Sequence, residues 1–268
     1  MNVDISALIY ALILGVVQGI TEFLPVSSSA HLIIVSWFFQ GDTLPLSLNV
    51  ALHIGTLVAV LIYFKKDWWA IADGVLKAAT KKEKSFSSHV LLPGMIIGSI
   101  PAGVIGLLWK DEIERFFHNP GFVVYPLAIV GVALWLVDLK VPAKRSLQDL
   151  SIRDGFLVGL AQACALIPGT SRSGATILGG RLLGFDRESA ARFSFLLGTP
   201  AMLGAALLEA KNISQSLSDP VFYIGFVTSI IVGILSIHFL LEFVKRFGLA
   251  AFAIYRVILA ISLFFLVN

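Results

Sequence analysis

With a single cysteine, Cys164, among 268 residues, the chain has no partner for an intrachain disulfide, and the thiol is expected as a small core residue. Charge is scarce as well. Asp, Glu, Lys and Arg make up 14% of the chain and form no basic stripe, which excludes a nucleic-acid partner. No basic leader precedes the first apolar run, so a cleavable signal peptide is not expected and the first segment should stay in the mature protein. Apolar side chains take up the difference: 57% of residues are hydrophobic and the mean hydropathy is +0.89, the composition of an integral membrane protein.

A bilayer is crossed by about 20 apolar residues in a helix. Runs of that kind occupy 49–64, 88–109, 121–138, 189–209, 219–239 and 248–267. Two further segments, 5–39 and 154–183, are interrupted by proline and small residues and hold most of the polar groups. The expected fold is an all-α polytopic membrane protein, one domain over 1–268, with six full crossings and two re-entrant, broken-helix hairpins.

The halves look duplicated. Pro25 and Pro168, Ser28 and Ser171, and Gly55-Thr56 and Gly198-Thr199 are each 143 positions apart, while Gly15 and Gln18 match Gly159 and Gln162 at 144. This pattern predicts one repeat over about 1–138 and another over about 152–268. At 143, Arg172 would correspond to Ser29, Gly174 to His31 and Ala165 to Glu22. Loop charge sets the orientation. The segment 65–88 carries Lys65, Lys66, Lys77, Lys81, Lys82 and Lys84 against Asp67, Asp73 and Glu83, and 139–153 carries Lys140, Lys144, Arg145 and Arg153 against Asp149. Between them, 110–120 is slightly acidic through Asp111, Glu112 and Glu114. If each broken segment enters and leaves on one side, each repeat has three crossings and the second is inverted, with both termini outside and Lys245-Arg246 inside.

Irregular backbone at membrane depth must be satisfied by protein or a water-filled cavity, so the two hairpins should meet near Pro25 and Pro168. Gln18 and Glu22 share one face of a helix, Pro25 ends it, and Ser27, Ser28 and Ser29 can cap the next, whose positive end suits an anion. In the second island, Pro168-Gly169 breaks the chain, Thr170 and Ser171 can cap, and Arg172 adds a guanidinium fork matched to phosphate oxygens. A serine-rich turn read alone is ordinary packing. Glu22, His31 and Arg172 on two matched breaks have no such simple explanation. Gln18 is equally a site wall or an interhelical hydrogen bond. His53 is a weaker candidate for the cavity, and His89, His118 and His238 sit at span ends where an imidazole needs no function. Arg256, beside Tyr255 in the last apolar run, reads as a structural tie. Asp186-Arg187-Glu188 with Arg192 reads as a solvated connection.

Gln18-x-x-x-Glu22 running into Pro25-Val-Ser-Ser with His31, and Pro168-Gly-Thr-Ser-Arg-Ser-Gly-Ala-Thr176, closely resemble the paired motifs of the bacterial undecaprenyl pyrophosphate phosphatases of the bacitracin-resistance type, over essentially the whole chain. The resemblance implies that Glu22 and Gln18 form the first motif, with Gln18 the less acidic of the two residue types accepted there. It also implies that Ser27 and His31 belong to the active site and that Ser171, Arg172, Ser173 and Thr176, with Thr170 and Ser28 beside them, hold phosphate. The implied reaction is hydrolysis of undecaprenyl diphosphate to the monophosphate, recycling the cell-wall carrier lipid in the cytoplasmic (inner) membrane, with the site opening to the periplasmic face. A hard cation, Mg²⁺ or Ca²⁺, could bridge Glu22 and the phosphates. A two-carboxylate metal site is doubtful with Gln18 present. A hydroxyl, His31, or a water activated by Glu22 or His31 are all open as attacking group. The expected partners are the lipid diphosphate and the bilayer, with a homodimer left open. The rival reading is a transporter or flippase of a polyprenyl phosphate, although a nonreactive carrier has little need for Glu22 and His31 beside an arginine.

Overall fold

A computed structural model describes residues 5–40, 46–80, 85–116, 120–208 and 219–267. Lys81, Lys82, Glu83, Lys84 and His118, and the final residue of the run 189–209, lie outside the described residues. Among those described, every named element is helical: α1 (Ile5–Thr21), α2 (Ser28–Gln40), α3 (Leu46–Tyr63), α4 (Lys65–Thr80), α5 (Leu92–Phe116), α6 (Val124–Lys140), α7 (Ile152–Cys164), α8 (Arg172–Leu182), α9 (Arg187–Leu208), α10 (Pro220–Phe247) and α11 (Ala250–Val267). A π-helical turn, Ser87–Leu91, leads into α5.

Five stretches are long and apolar enough to cross a membrane: Leu46–Tyr63, Ser87–Trp109, Gly121–Lys140, Arg187–Leu208 and Pro220–Phe247. The chain is thus a multi-pass membrane protein. The sixth expected crossing falls on α11, whose apolar stretch, Ala250–Leu266, is shorter. Helix α4 was not expected as an element. It buries Ile71 and Gly74 and exposes Trp69, Leu76 and its lysines, the pattern of a helix lying on a surface.

In lipid, apolar side chains gain nothing by leaving one hydrocarbon for another, so helices associate through close backbone approach at small residues. Helix α7 lies on α5 in this way. A Cβ on Gly159 would strike the Gly98 carbonyl oxygen, and one on Gly155 would stand 2.6 Å from the Gly94 Cα. Helix α1 lies on α10 through Gly15 and Gly19, which face Thr228 and Val232. Helices α3 and α10, and α6 and α11, are the other extensively packed pairs.

Ion pairs gather where α3, α6 and α10 end and α7, α9 and α11 begin. Asp67 binds Arg192 (2.7 Å), Asp138 binds Arg187 (2.7 Å) and Arg181 (3.3 Å) and accepts the Leu249 amide (3.0 Å), and Lys245 binds Glu188 (3.0 Å). Arg145 clasps both ends of the α7–α8 unit, binding Asp154 at 2.6 Å and the Leu183 carbonyl at 3.1 Å. The run at Asp186 is therefore an ion-paired cap and not a solvated connection, because Asp186 also accepts the Ser189 amide at the start of α9. Cys164 is exposed, not a core residue. It shares a face of α7 with exposed Leu160, whereas Val158, Gly159 and Gln162 point inward.

The two chain breaks meet inside this bundle, and Arg256 of α11 joins them. Its side chain is fully buried. Nη1 donates to the Pro25 carbonyl (3.1 Å). Nη2 donates to Gly169 (3.0 Å), Thr170 (3.0 Å) and Pro126 (3.3 Å), and Nε donates to Leu127 (3.1 Å). Pro25, Gly169 and Thr170 offer backbone oxygens at the two breaks, and Pro126 and Leu127 offer theirs from the first turn of α6. The expected structural tie is present, and it reaches both breaks at once. Replacing Arg256 with Met keeps most of the stem but leaves these carbonyls unpaired, so a loss of about 3 kcal/mol or more is expected. Thermal unfolding in detergent would read this as a large fall in midpoint with no gain from added substrate.

Candidate active site

Helix α1 ends at Thr21, one turn before Pro25, because the following residues already turn. The Glu22 amide still donates to the Gln18 carbonyl (2.9 Å), which keeps the two side chains on one face. The chain re-enters a helix after Ser27, and the second break does the same after Ser171. These two residues are the non-glycine positions with positive φ among those described, 76° at Ser27 and 70° at Ser171. Such a conformation costs an L-residue about 1–3 kcal/mol and persists where its surroundings demand it. The Ser27 hydroxyl lies 3.2 Å from Ser29 Oγ, and the Ser171 hydroxyl lies 3.1 Å from Ser173 Oγ and accepts the Gly174 amide. The two turns are thus in register at 144 positions. Ser27 matches Ser171 and Ser28 matches Arg172, which corrects the pairings of Ser28 with Ser171 and of Ser29 with Arg172. The second break holds one extra residue between its proline and its serine, and spacing counted from the prolines alone is therefore off by one.

Glu22 and Arg172 come together across 150 positions of sequence. Glu22 Oε1 accepts from Arg172 Nη2 at 2.8 Å. The other oxygen, Oε2, accepts from the Ser28 hydroxyl at 2.8 Å and the Gln18 amide at 3.2 Å. Arg172 is held further by the Ser194 carbonyl (3.3 Å) and Met202 Sδ (3.2 Å) of α9. The carboxylate is almost wholly buried, with 8% of its surface open. Gln18 is completely buried, and its Oε1 has no partner. It belongs to the wall of the site.

The remaining residues of the second break divide by what their polar groups do. Ser173 Oγ donates to the Leu24 carbonyl at 3.0 Å and so sews one break to the other. Thr176 Oγ1 donates to the Arg172 carbonyl at 2.8 Å and lies 2.5 Å from Ser194 Oγ. Both support Arg172 from behind. Thr170 presents its carbonyl to Arg256. His31 is half-buried, with Nδ1 2.7 Å from the Ser27 carbonyl and Nε2 2.6 Å from the Tyr255 hydroxyl, so no serine hydroxyl is bonded to it. His53, with Asn49, Val50 and Met202, lines a cavity of about 240 Å³ between α3 and α9. Met202 touches both that cavity and Arg172.

Nothing in the sequence singles out Ser194 or Tyr255. A serine in an apolar run and a tyrosine near a helix surface are common, and neither carries a spacing signal. A divalent cation finds a single carboxylate here. Among the described residues no three of His, Cys, Asp or Glu come together, and both oxygens of Glu22 are engaged. The donor set does not fit a cation caged by protein alone, and it fits one that brings phosphate oxygens as its other ligands.

Residues 11–262 match the protein family described as bacitracin resistance protein BacA. The chain is also 43% identical to an undecaprenyl-diphosphatase of Thermomicrobium roseum, covering 96% of this chain and 97% of that one. It is 42% identical to the protein of the same name from Moorella thermoacetica, covering 93% and 94%, and 38% identical to that from Pelotomaculum thermopropionicum, covering 94% of each. A match of this extent, spanning both breaks and the helices that carry them, places the chain in the bacitracin resistance protein BacA family.

Proposed function

We propose that this chain hydrolyses undecaprenyl diphosphate to undecaprenyl phosphate and inorganic phosphate, with the Glu22–Arg172 pair at the centre. The observation that carries the reading is the sharing of one buried carboxylate between an arginine fork and a serine hydroxyl. Without substrate, Arg172 is neutralised by Glu22. A diphosphate entering at the turns offers the guanidinium a better partner, and the exchange frees Glu22 to act as a base. Its Oε2 already accepts the Ser28 hydroxyl, so Ser28 is the hydroxyl poised to lose its proton. Ser28 Oγ then bonds to the terminal phosphorus, its proton passes to Glu22, and the bridging P–O bond breaks to release the lipid monophosphate. Water then attacks the phosphoserine and gives one proton to His31, the P–Oγ bond breaks as Glu22 returns its proton to Ser28 Oγ, and inorganic phosphate leaves. Mg²⁺ or Ca²⁺ bound between Glu22 and the phosphates would supply charge neutralisation on the phosphate oxygens.

A carrier that only moved the lipid would need the arginine but not a carboxylate bonded to a serine hydroxyl, and this contact favours hydrolysis over transport. The inverted-repeat reading, with six crossings and two re-entrant hairpins in the cytoplasmic membrane, has parallel support. Helix α1 lies on α10 as α7 lies on α5, Arg145 ties the start of α7 to the end of α8, and α1 and α2 run back along each other through the Tyr10–Ser36 hydrogen bond (3.0 Å). In this arrangement the ion-paired end faces the cytoplasm and the site opens to the other face.

In detergent, the purified chain should release phosphate from undecaprenyl diphosphate. Glu22→Gln keeps size and hydrogen bonding but removes the charge, and turnover should fall at least about a hundred-fold. Ser28→Ala should fall as far, and a Ser28→Ala enzyme at the wild-type rate would transfer the attack to water. Arg172→Lys keeps the charge but loses the fork, so a loss of at least about ten-fold, equal to about 1.4 kcal/mol, is expected. Unchanged turnover would make guanidinium geometry irrelevant. For topology, Cys164 is first replaced by serine. A cysteine at Glu112 should then react with an impermeant thiol reagent outside intact cells, and one at Lys144 should not. The reverse pattern would overturn the orientation.

A further inference from the structure

Tyr255 and His31 stand 224 positions apart in sequence, yet the phenol oxygen lies 2.6 Å from Nε2 and the rings stack at 9° with centroids 5.7 Å apart. On the other side of the imidazole, Nδ1 lies 2.7 Å from the Ser27 carbonyl oxygen. A carbonyl oxygen only accepts. In the neutral ring Nδ1 therefore carries the hydrogen, Nε2 holds the lone pair, and the Tyr255 hydroxyl donates to it. One contact fixes the tautomer, the other caps the basic nitrogen, and the stack sets the plane of the ring. Tyr255 also precedes Arg256, whose bonds to Pro25, Gly169 and Thr170 lock that turn of α11 against both breaks. The phenol is thereby placed relative to the whole site and not only to His31.

We propose that Tyr255 is the positioning residue for His31. It holds the imidazole as the Nδ1–H tautomer and presents Nε2, in a fixed orientation, to the water that attacks the phosphate. The hydroxyl guards the lone pair until substrate displaces it. This rests on the phosphatase reading of the site, since it assigns His31 a proton-accepting part in that reaction. A ring without the hydroxyl would still stack, so Tyr255→Phe removes the hydrogen bond and little else.

Two measurements on the full chain in detergent test this. The first is the rate at which diethyl pyrocarbonate, which acylates an imidazole lone pair, modifies His31, read by peptide mass mapping with His53, His89 and His238 as internal references. His31 should react at least about ten-fold faster in Tyr255→Phe than in the wild type while the references do not change, as expected when a capped lone pair is released. Equal rates would overturn the proposal. The second is a double-mutant cycle with undecaprenyl diphosphate as substrate. Tyr255→Phe alone should lower kcat about ten-fold, or about 1.4 kcal/mol, with KM within about two-fold. In a His31→Ala background the same change should cost nothing further. An undiminished cost in that background, or no cost in the wild type, would overturn the proposal. Should the wild-type chain release no phosphate at all, the phosphatase reading fails, and the labelling rates still decide whether Tyr255 caps His31.

Discussion

The organisation of this protein follows from one constraint, that backbone exposed by a helix broken in the interior has no water to pair with. Two such breaks are brought face to face, and a single guanidinium is set between them. Arg256 supplies donors that solvent would otherwise supply, and the carbonyls supply the polar surroundings without which a buried cation would be intolerable. Neither side of this contact is stable without the other. Around it, Ser173 donating to Leu24 and Arg172 binding Glu22 add ties between the same two turns.

Given that scaffold, the chemistry depends on asymmetry. The two turns share a backbone conformation, a positive-φ serine and a serine two residues on, but the side chains at equivalent places differ. Where the first break has Ser28, the second has Arg172, and where the first has Glu22 and His31, the second has Leu166 and Ala175. A matched frame holds a carboxylate and a guanidinium at a fixed separation on two turns of like conformation. The helices behind each turn are rigid for a different reason, since α5 and α7 approach closely enough that a methyl group on Gly159 would strike the backbone of Gly98.

Spans and breaks were readable from sequence because they rest on length, proline and hydropathy, which act locally. So was the convergence of Glu22 and Arg172 on one site, since the two breaks that carry them were expected to meet; that the two side chains bond directly to each other was not. What escaped depended on faces and on three dimensions. Cys164 lies on the exposed side of α7, and composition cannot say which side a small residue takes. Arg187 and Arg192 read as solvated charges but find Asp138 and Asp67, which are remote in sequence. Helix α4 is too mixed to stand out beside the apolar runs, and the last of those runs gives a shorter apolar stretch, Ala250–Leu266, than the other five. The register error of one residue came from an insertion inside a turn, where only dihedral angles reveal it. Tyr255 gave no warning because its meaning lies wholly in what its hydroxyl meets.

The Glu22–Arg172 ion pair has a further consequence for the end of the catalytic cycle. Any phosphate held by the guanidinium competes with a carboxylate tethered a few ångströms away, at an effective concentration no soluble anion can reach. Each departing phosphate is replaced at once by Glu22. The enzyme thus carries its own competitor for the product, and inorganic phosphate should be a poor inhibitor.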